Sequence, residues 1–365
     1  MDIVVIGAGI VGCAVAHALA SRGARVRVIE RRQVGQGATR ASAGVLCPHI
    51  EGHSAPLLQL GVRSLSLYDA FVDRVRTDSG HAIEYRRNGT LEVALTDEEA
   101  EKLRKAAAQH AARGVQHRYL DRAEARDVEP AIAAEVTAAL LVPSHGYVGA
   151  TGLTRALAAA AASRGGEMIT ADVERIEPTG RGVRVVAGGA SFDADIAVIA
   201  AGSWSGTVPV GETPRAPVRP VRGQLLHLAG SVPSGVTRVI WGRACYIVPW
   251  QDESLLVGAT TEDVGFDERA TVAGVRDLLE AACELLPGAW QAQFREVRVG
   301  LRPATPDELP IIGRSSTTPS IVYATGHYRN GVLLAPLTAA VVADLVLDGR
   351  EAPELAITNP ARFGL

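Results

Sequence analysis

DIVVIGAGIVGCAVAHALASRGARVRVIE, residues 2–30, runs from an apolar segment through three spaced glycines into an amphipathic stretch, which closes at Gly23 and gives way to a second apolar segment. Residues 2–6 read as a buried parallel strand, Ile10 to Arg22 as a helix and residues 24–30 as the next strand. Strand, glycine turn, helix and strand in about thirty residues make the right-handed βαβ unit of a doubly wound sheet. Gly7, Gly9 and Gly12 have the GxGxxG spacing. The first permits a tight turn, the second lets backbone approach a pyrophosphate, and the third allows close helix packing. The helix N-terminus then faces the phosphates. Glu30, ending the second strand, suits the ribose hydroxyls and would repel a 2′-phosphate, so FAD or NAD is expected over NADP. The fingerprint does not choose between those two.

This apolar start is not read as a signal peptide or membrane anchor, because Asp2 replaces a basic start and the glycines have turn spacing. A chain of 365 residues, 47% of them hydrophobic, can bury two domain cores. Its net charge of -3, without long runs of one sign, gives no electrostatic case for nucleic acid or an anionic membrane. Cys13, Cys47, Cys245 and Cys283 form no CxxC pair, so neither a disulfide framework nor a metal site is expected, and a reducing cytoplasm fits best.

Downstream, residues 56–75 read as a helix, 83–87 and 90–96 as strands, and 97–114 as a surface helix with acids first and bases last. Residues 151–165 read as an alanine-rich helix opening at a threonine. Strands are expected over 168–177, 182–188 and 193–205. From about 218 to 301 strands dominate, with one helix near 269–286, which suggests a second domain built on an antiparallel sheet. The loop GQGATRASAG, residues 35–44, replaces the short turn usual in a nicotinamide dehydrogenase. Its small side chains would let backbone amides lie against a diphosphate and a flat ring.

With VVIGAGIVG, GATRASAGVL, VRGQLLHL, CYIVP, VGATTEDVGFD, GLRPATPDELPIIGR and ATGHYRNGVLLAP, the sequence resembles the FAD-dependent D-amino acid oxidase superfamily. The likeness is greatest to its glycine oxidase branch linked to thiamin thiazole synthesis and covers nearly the whole chain. The resemblance implies that Ile10, Val11, Glu30, Arg31, Ala38, Thr39, Ala43, Gly44 and Val45 line an FAD site and that Val173 meets the adenine. It implies that Gly202 and Trp204 border the cofactor. The run His327, Tyr328, Arg329, Asn330, Gly331, Val332 and Leu333 would wrap the flavin. A helix beginning near Asn330 to Val332 could aim unpaired amides and its positive end at the charge that reduced flavin carries along its N(1) and C(2)-carbonyl edge.

An amino acid substrate brings a carboxylate, for which an arginine fork is the natural partner. Arg302, placed after an apolar strand end and before a proline, matches the carboxylate-binding arginine of the family. Tyr246 would add a phenol hydrogen bond, and Arg329 would stand at the substrate end of the flavin. Ala244 occupies a position where relatives can carry histidine, and Val45 and Thr261 positions where they can carry methionine, which leaves the preferred substrate open. His49, His53 and His327 lack the spacing of a nucleophilic triad, and the implied chemistry needs no protein general base.

The expected architecture is α/β: a Rossmann-like FAD-binding domain from residues 1–80, 146–217 and 302–365, interleaved with a substrate domain from 81–145 and 218–301 built on a mostly antiparallel sheet with helices. The expected activity is oxidation of glycine, sarcosine or a small D-amino acid, with O2 reoxidising the flavin to give peroxide. The thiamin branch adds thiazole synthase as a partner, and a homo-oligomer stays open. Two alternatives are a D-amino acid dehydrogenase using a quinone, and a non-catalytic flavin-binding partner protein.

Overall fold

A computed structural model describes residues 1–50, 54–230 and 235–365; His53 lies outside the described residues. Among the described residues, a six-stranded sheet runs in the spatial order Ile311–Arg314, Ile321–Thr325, Ile196–Ile199, Asp2–Ile6, Arg25–Glu30 and Glu167–Thr170. All neighbours are parallel except the first pair. The strand Asp2–Ile6 is apolar on both faces because both are covered: Ile3 and Val5 face one core, Val4 and Ile6 another.

The first core is filled by the helices Ile10–Ala20, Ala55–Ser79, Ala150–Ser163 and Gly331–Asp348. The second lies under a three-stranded antiparallel sheet, Val173–Thr179, Gly182–Ala187 and Ala190–Ala194. Residues 168–177 are therefore not one strand. The chain breaks at Ala171 and Asp172, leaving Glu167–Thr170 in the parallel sheet and Val173–Thr179 in the antiparallel one. The alanine-rich helix starts at Ala150 behind Gly149, not at a threonine, and the strand expected over 83–87 shrinks to Tyr85–Arg86.

An eight-stranded sheet forms the other half, in the order Gln293–Ala304, Arg219–Ala229, Leu255–Gly258, Tyr246–Pro249, Val239–Trp241, Thr90–Ala94, Ala138–Val142 and Arg118–Asp121. Its neighbours are antiparallel, apart from Val239–Trp241 beside Thr90–Ala94. The helix Val272–Leu285 covers one face. The other carries Val239, Val248 and Leu256, with Trp241 and Tyr246 beside them.

One helix reaches its place by an unusual repair. Gly331–Asp348 contains Pro336, which has no N–H for the Val332 carbonyl. The helix Ala55–Ser79 supplies the missing partner: Tyr68 donates its hydroxyl hydrogen to the Val332 oxygen at 2.6 Å. One turn away Ser64 donates to the Leu333 oxygen at 2.6 Å and accepts from the Leu337 amide at 3.3 Å. The freed backbone groups are thus satisfied in a fully buried place.

Candidate active site

A cavity of about 670 Å³ runs between the parallel sheet and the inner face of the large sheet. That size is within the ~300–1,000 Å³ usual for small-molecule and cofactor sites. One end is made by the βαβ unit. Gly9 caps the helix Ile10–Ala20 without a side-chain bond, and a Cβ there would meet only the Thr39 hydroxyl, at 3.5 Å. Gly12 plays a different part, since a Cβ would sit 2.0 Å from the Gly7 oxygen. It sets helix packing and does not reach the cavity wall. Glu30 is locked by backbone, accepting from the Ala8 amide at 2.8 Å and from the Arg32 amide at 2.8 Å. Thr39 accepts from the Ile10 amide at 3.1 Å, which joins the loop at 35–44 to the helix start.

Gly7, Gly9, Ile10, Val11, Glu30, Arg31, Ala38, Thr39, Ala43, Gly44 and Val45 all line this cavity, as do Val173, Gly202 and Trp204. From the late loop His327, Tyr328, Arg329, Gly331 and Val332 reach it. Asn330 and Leu333 do not: Asn330 is the buried N-cap residue, and Leu333 packs into the helical core. A strand-to-helix turn exposes only part of its length to a ligand, while a contiguous motif in the sequence cannot say which part. His327 is fully buried with Nε2 3.0 Å from the Thr338 hydroxyl. Burial lowers its pKa to about 3, so the ring is neutral near pH 7 and is no ready proton donor.

The residues present fit the dinucleotide that the sequence suggests. A helix start open to the cavity, a carboxylate where ribose hydroxyls would lie, and a second helix start at Gly331 suit a diphosphate, a sugar and an electron-rich ring edge respectively.

The far end holds the arginine and the tyrosine. Arg302 lies within the edge strand Gln293–Ala304, not past its end, opposite Val221 in the ladder with Arg219–Ala229. A Cβ on Gly223, in the neighbouring strand, would strike the guanidinium at 2.4 Å. Glycine at that position is what lets the fork lie flat over the sheet. Arg302 Nη1 donates to the Thr260 carbonyl at 2.9 Å and the Arg222 carbonyl at 3.3 Å. Among the described residues no carboxylate of the chain forms an ion pair with it. Tyr246 stands on the same wall, its ring 4.8 Å from that of Trp241. Arg329 is exposed at the cavity edge, its guanidinium 5.2 Å from the Tyr328 ring.

Sequence reasoning missed Trp241, Arg32 and Ile50, all of which line the cavity. Trp241 was within reach, because VIWGRACYIVP reads as a hairpin that would pair it with Tyr246, as it does. Nothing local marks Ile50. His49 stays off the wall and bonds through Nδ1 to His145 Nε2 at 2.8 Å.

A family model described as FAD dependent oxidoreductase matches residues 2–345. The curated glycine oxidase of Geobacillus kaustophilus (strain HTA426) is 36% identical over 358 residues, covering 97% of this chain and 95% of that protein. The bifunctional protein ThiO/ThiG of Nostoc sp. (strain PCC 7120) is 36% identical over 362 residues, 97% of this chain. The chain spans about half, 54%, of that longer relative. The crystal structure of glycine oxidase from Geobacillus kaustophilus superposes with a TM-score of 0.92 at 34% identity, covering 98% of this chain and 97% of that one.

Proposed function

Because the chain belongs to the family of FAD dependent oxidoreductases, with FAD as cofactor and amino acid oxidation as its reaction class, we propose that it oxidises glycine or a close relative, sarcosine or a small D-amino acid. Bound FAD supplies the two-electron acceptor. The chain itself supplies placement and electrostatics.

The observation that carries this reading is Arg302: a guanidinium on the cavity wall, aligned by two carbonyls and lacking a carboxylate partner among the described residues. A partly buried cation in that state is a ready acceptor for an anion, and a planar fork suits a carboxylate. Tyr246 would donate its phenol hydrogen to the same group, and Arg329 would add positive charge at the mouth. With the acid group held, the substrate loses most of its rotational freedom, a large part of what an oxidase must provide. The Cα–H bond breaks with its electron pair passing to the acceptor, the amine lone pair forms C=N, and an amine proton leaves to solvent. O2 then takes up two electrons and two protons to give H2O2. Water converts the imine to a 2-oxo acid and ammonia or amine. The ThiO/ThiG relatives support a further step, transfer of the imine to a thiazole synthase partner.

Mixing the purified yellow protein anaerobically with glycine, sarcosine and D-alanine in turn should bleach the visible flavin band with at least one of them, and admitting oxygen should restore it with stoichiometric peroxide. Failure of every small amino acid to bleach the band overturns the reading. Bleaching that oxygen cannot reverse limits it to a dehydrogenase.

A further inference from the structure

The segment 259–271 leaves the large sheet after Gly258 and crosses to the parallel-sheet half before the helix Val272–Leu285 begins. Its root is firmly held. Glu262 exchanges backbone bonds with Arg222, and its carboxylate accepts from Arg222 Nη2 at 2.5 Å, Gln224 Nε2 at 2.7 Å and the Thr260 hydroxyl at 2.6 Å. Asp267 adds a second carboxylate to Arg222 at 3.0 Å, and the Thr271 amide donates to Gln224 Oε1 at 2.8 Å.

The tip lands on the phosphate-binding half. Glu268 forms a two-pronged pair with Arg32, at 2.6 and 3.0 Å, and the Phe266 ring lies 5.7 Å from that of Trp204. Trp204 is also met by the guanidinium of Arg31 at 4.2 Å and of Arg32 at 4.9 Å. Arg31, Arg32 and Trp204 belong to the cavity wall just beyond Glu30, beside the 35–44 loop, where a Cβ added to Gly37 would lie 3.9 Å from the indole. Phe266 and Glu268 stand outside that wall, in contact with it.

We propose that segment 261–269 is a cofactor latch in which Phe266 and Glu268 clasp Trp204 and Arg32 over the ribose–diphosphate portion of FAD, so that the cofactor leaves only when this clasp opens. The proposal rests on FAD as the cofactor and is independent of which amino acid is oxidised. Its geometry has a chemical logic. The clasp combines a half-buried ion pair, which salt weakens, with aromatic and cation–π contacts, which salt affects less. Release should therefore quicken with ionic strength and yet remain slow.

The test follows release of FAD from holoenzyme on dilution, by the rise in its fluorescence, with no substrate present. Phe266→Ala and Glu268→Gln should each speed release about three- to tenfold, the size of one lost aromatic or charged contact. In wild type, added salt should also speed release, and Glu268→Gln should lose that sensitivity. Asp263→Asn, on the same segment but paired with Arg219 at 2.8 Å away from the clasp, should release FAD at the wild-type rate. Wild-type rates in both clasp variants overturn the proposal. So does an equal acceleration in Asp263→Asn, which would indicate general loosening of the segment.

Discussion

Arg302 illustrates how far a single residue can be read. Its match to the family's carboxylate-binding arginine, more than its neighbours, pointed to carboxylate binding, but the reason it can lie flat sits in another strand, at Gly223, which no local pattern connects to it. Removing the fork should cost about 2–5 kcal/mol in kcat/KM, while Arg302→Lys should recover only part, since a point charge lacks the second prong. Steady-state kinetics on both variants checks this, with the flavin spectrum as control for an intact site. Gly223→Ala should mimic the loss by displacing the fork while the arginine itself stays in the sequence. His327 offers a separate measurement. Its folded pKa, about 3, lies below the usual 6.5, so its contribution to stability is complete above pH 6.5 and declines as pH falls toward 3. Between those limits the unfolded chain binds one more proton at this residue, which adds a slope of about 1.4 kcal/mol per pH unit. Denaturant unfolding at pH 7 and pH 5 should show that slope reduced in His327→Asn relative to wild type. An identical pH dependence in the two proteins would show that the ring is not held neutral by the fold.

At the level of elements, the opening βαβ unit was legible because every device in it is local: strand, turn glycines, helix and closing acid lie within thirty residues. The late helix was legible only in part. Its start at Gly331 follows from the glycine-bracketed loop, but Pro336 argues against a continuous helix until Ser64 and Tyr68 are known to serve the groups it frees. Those partners lie more than 260 positions away, beyond any pattern of period 3.6. Tyr68→Phe leaves the Val332 carbonyl buried without its partner, and should lower stability by about 1–3 kcal/mol. Because the same helix presents its N-terminus to the cavity, FAD affinity should fall with it. Chemical denaturation and flavin titration measure the two effects. A stable variant with unchanged affinity would mean that the helix keeps its place by apolar packing alone.

For the whole molecule, composition and the alternation of helix-rich and strand-rich stretches indicated an α/β architecture with a strand-rich insertion, and the two large sheets have that character. Their cross-connections were not legible. The latch, the hairpin carrying Trp241 and Tyr246, and the arginine strand meet the parallel sheet through contacts between distant segments, each of which looks like an ordinary loop or strand in isolation. Since the cavity wall draws on residues from Ile6 to Val332, a chain ending at residue 330 should lack the helix start that closes the ring end and should purify colourless. Retention of yellow colour by that truncation would place the cofactor's main hold elsewhere. The helix Gly331–Asp348 carries one more implication. It is apolar and long enough to cross a bilayer, yet 72% of it is buried among its neighbours. During synthesis this greasy segment emerges after the helices Ile10–Ala20 and Ala55–Ser79 that receive it. A nascent chain built in this order has its receiving helices made before its most insertion-prone stretch appears, and a circular permutant that emits the helix first should be the version that misroutes or precipitates.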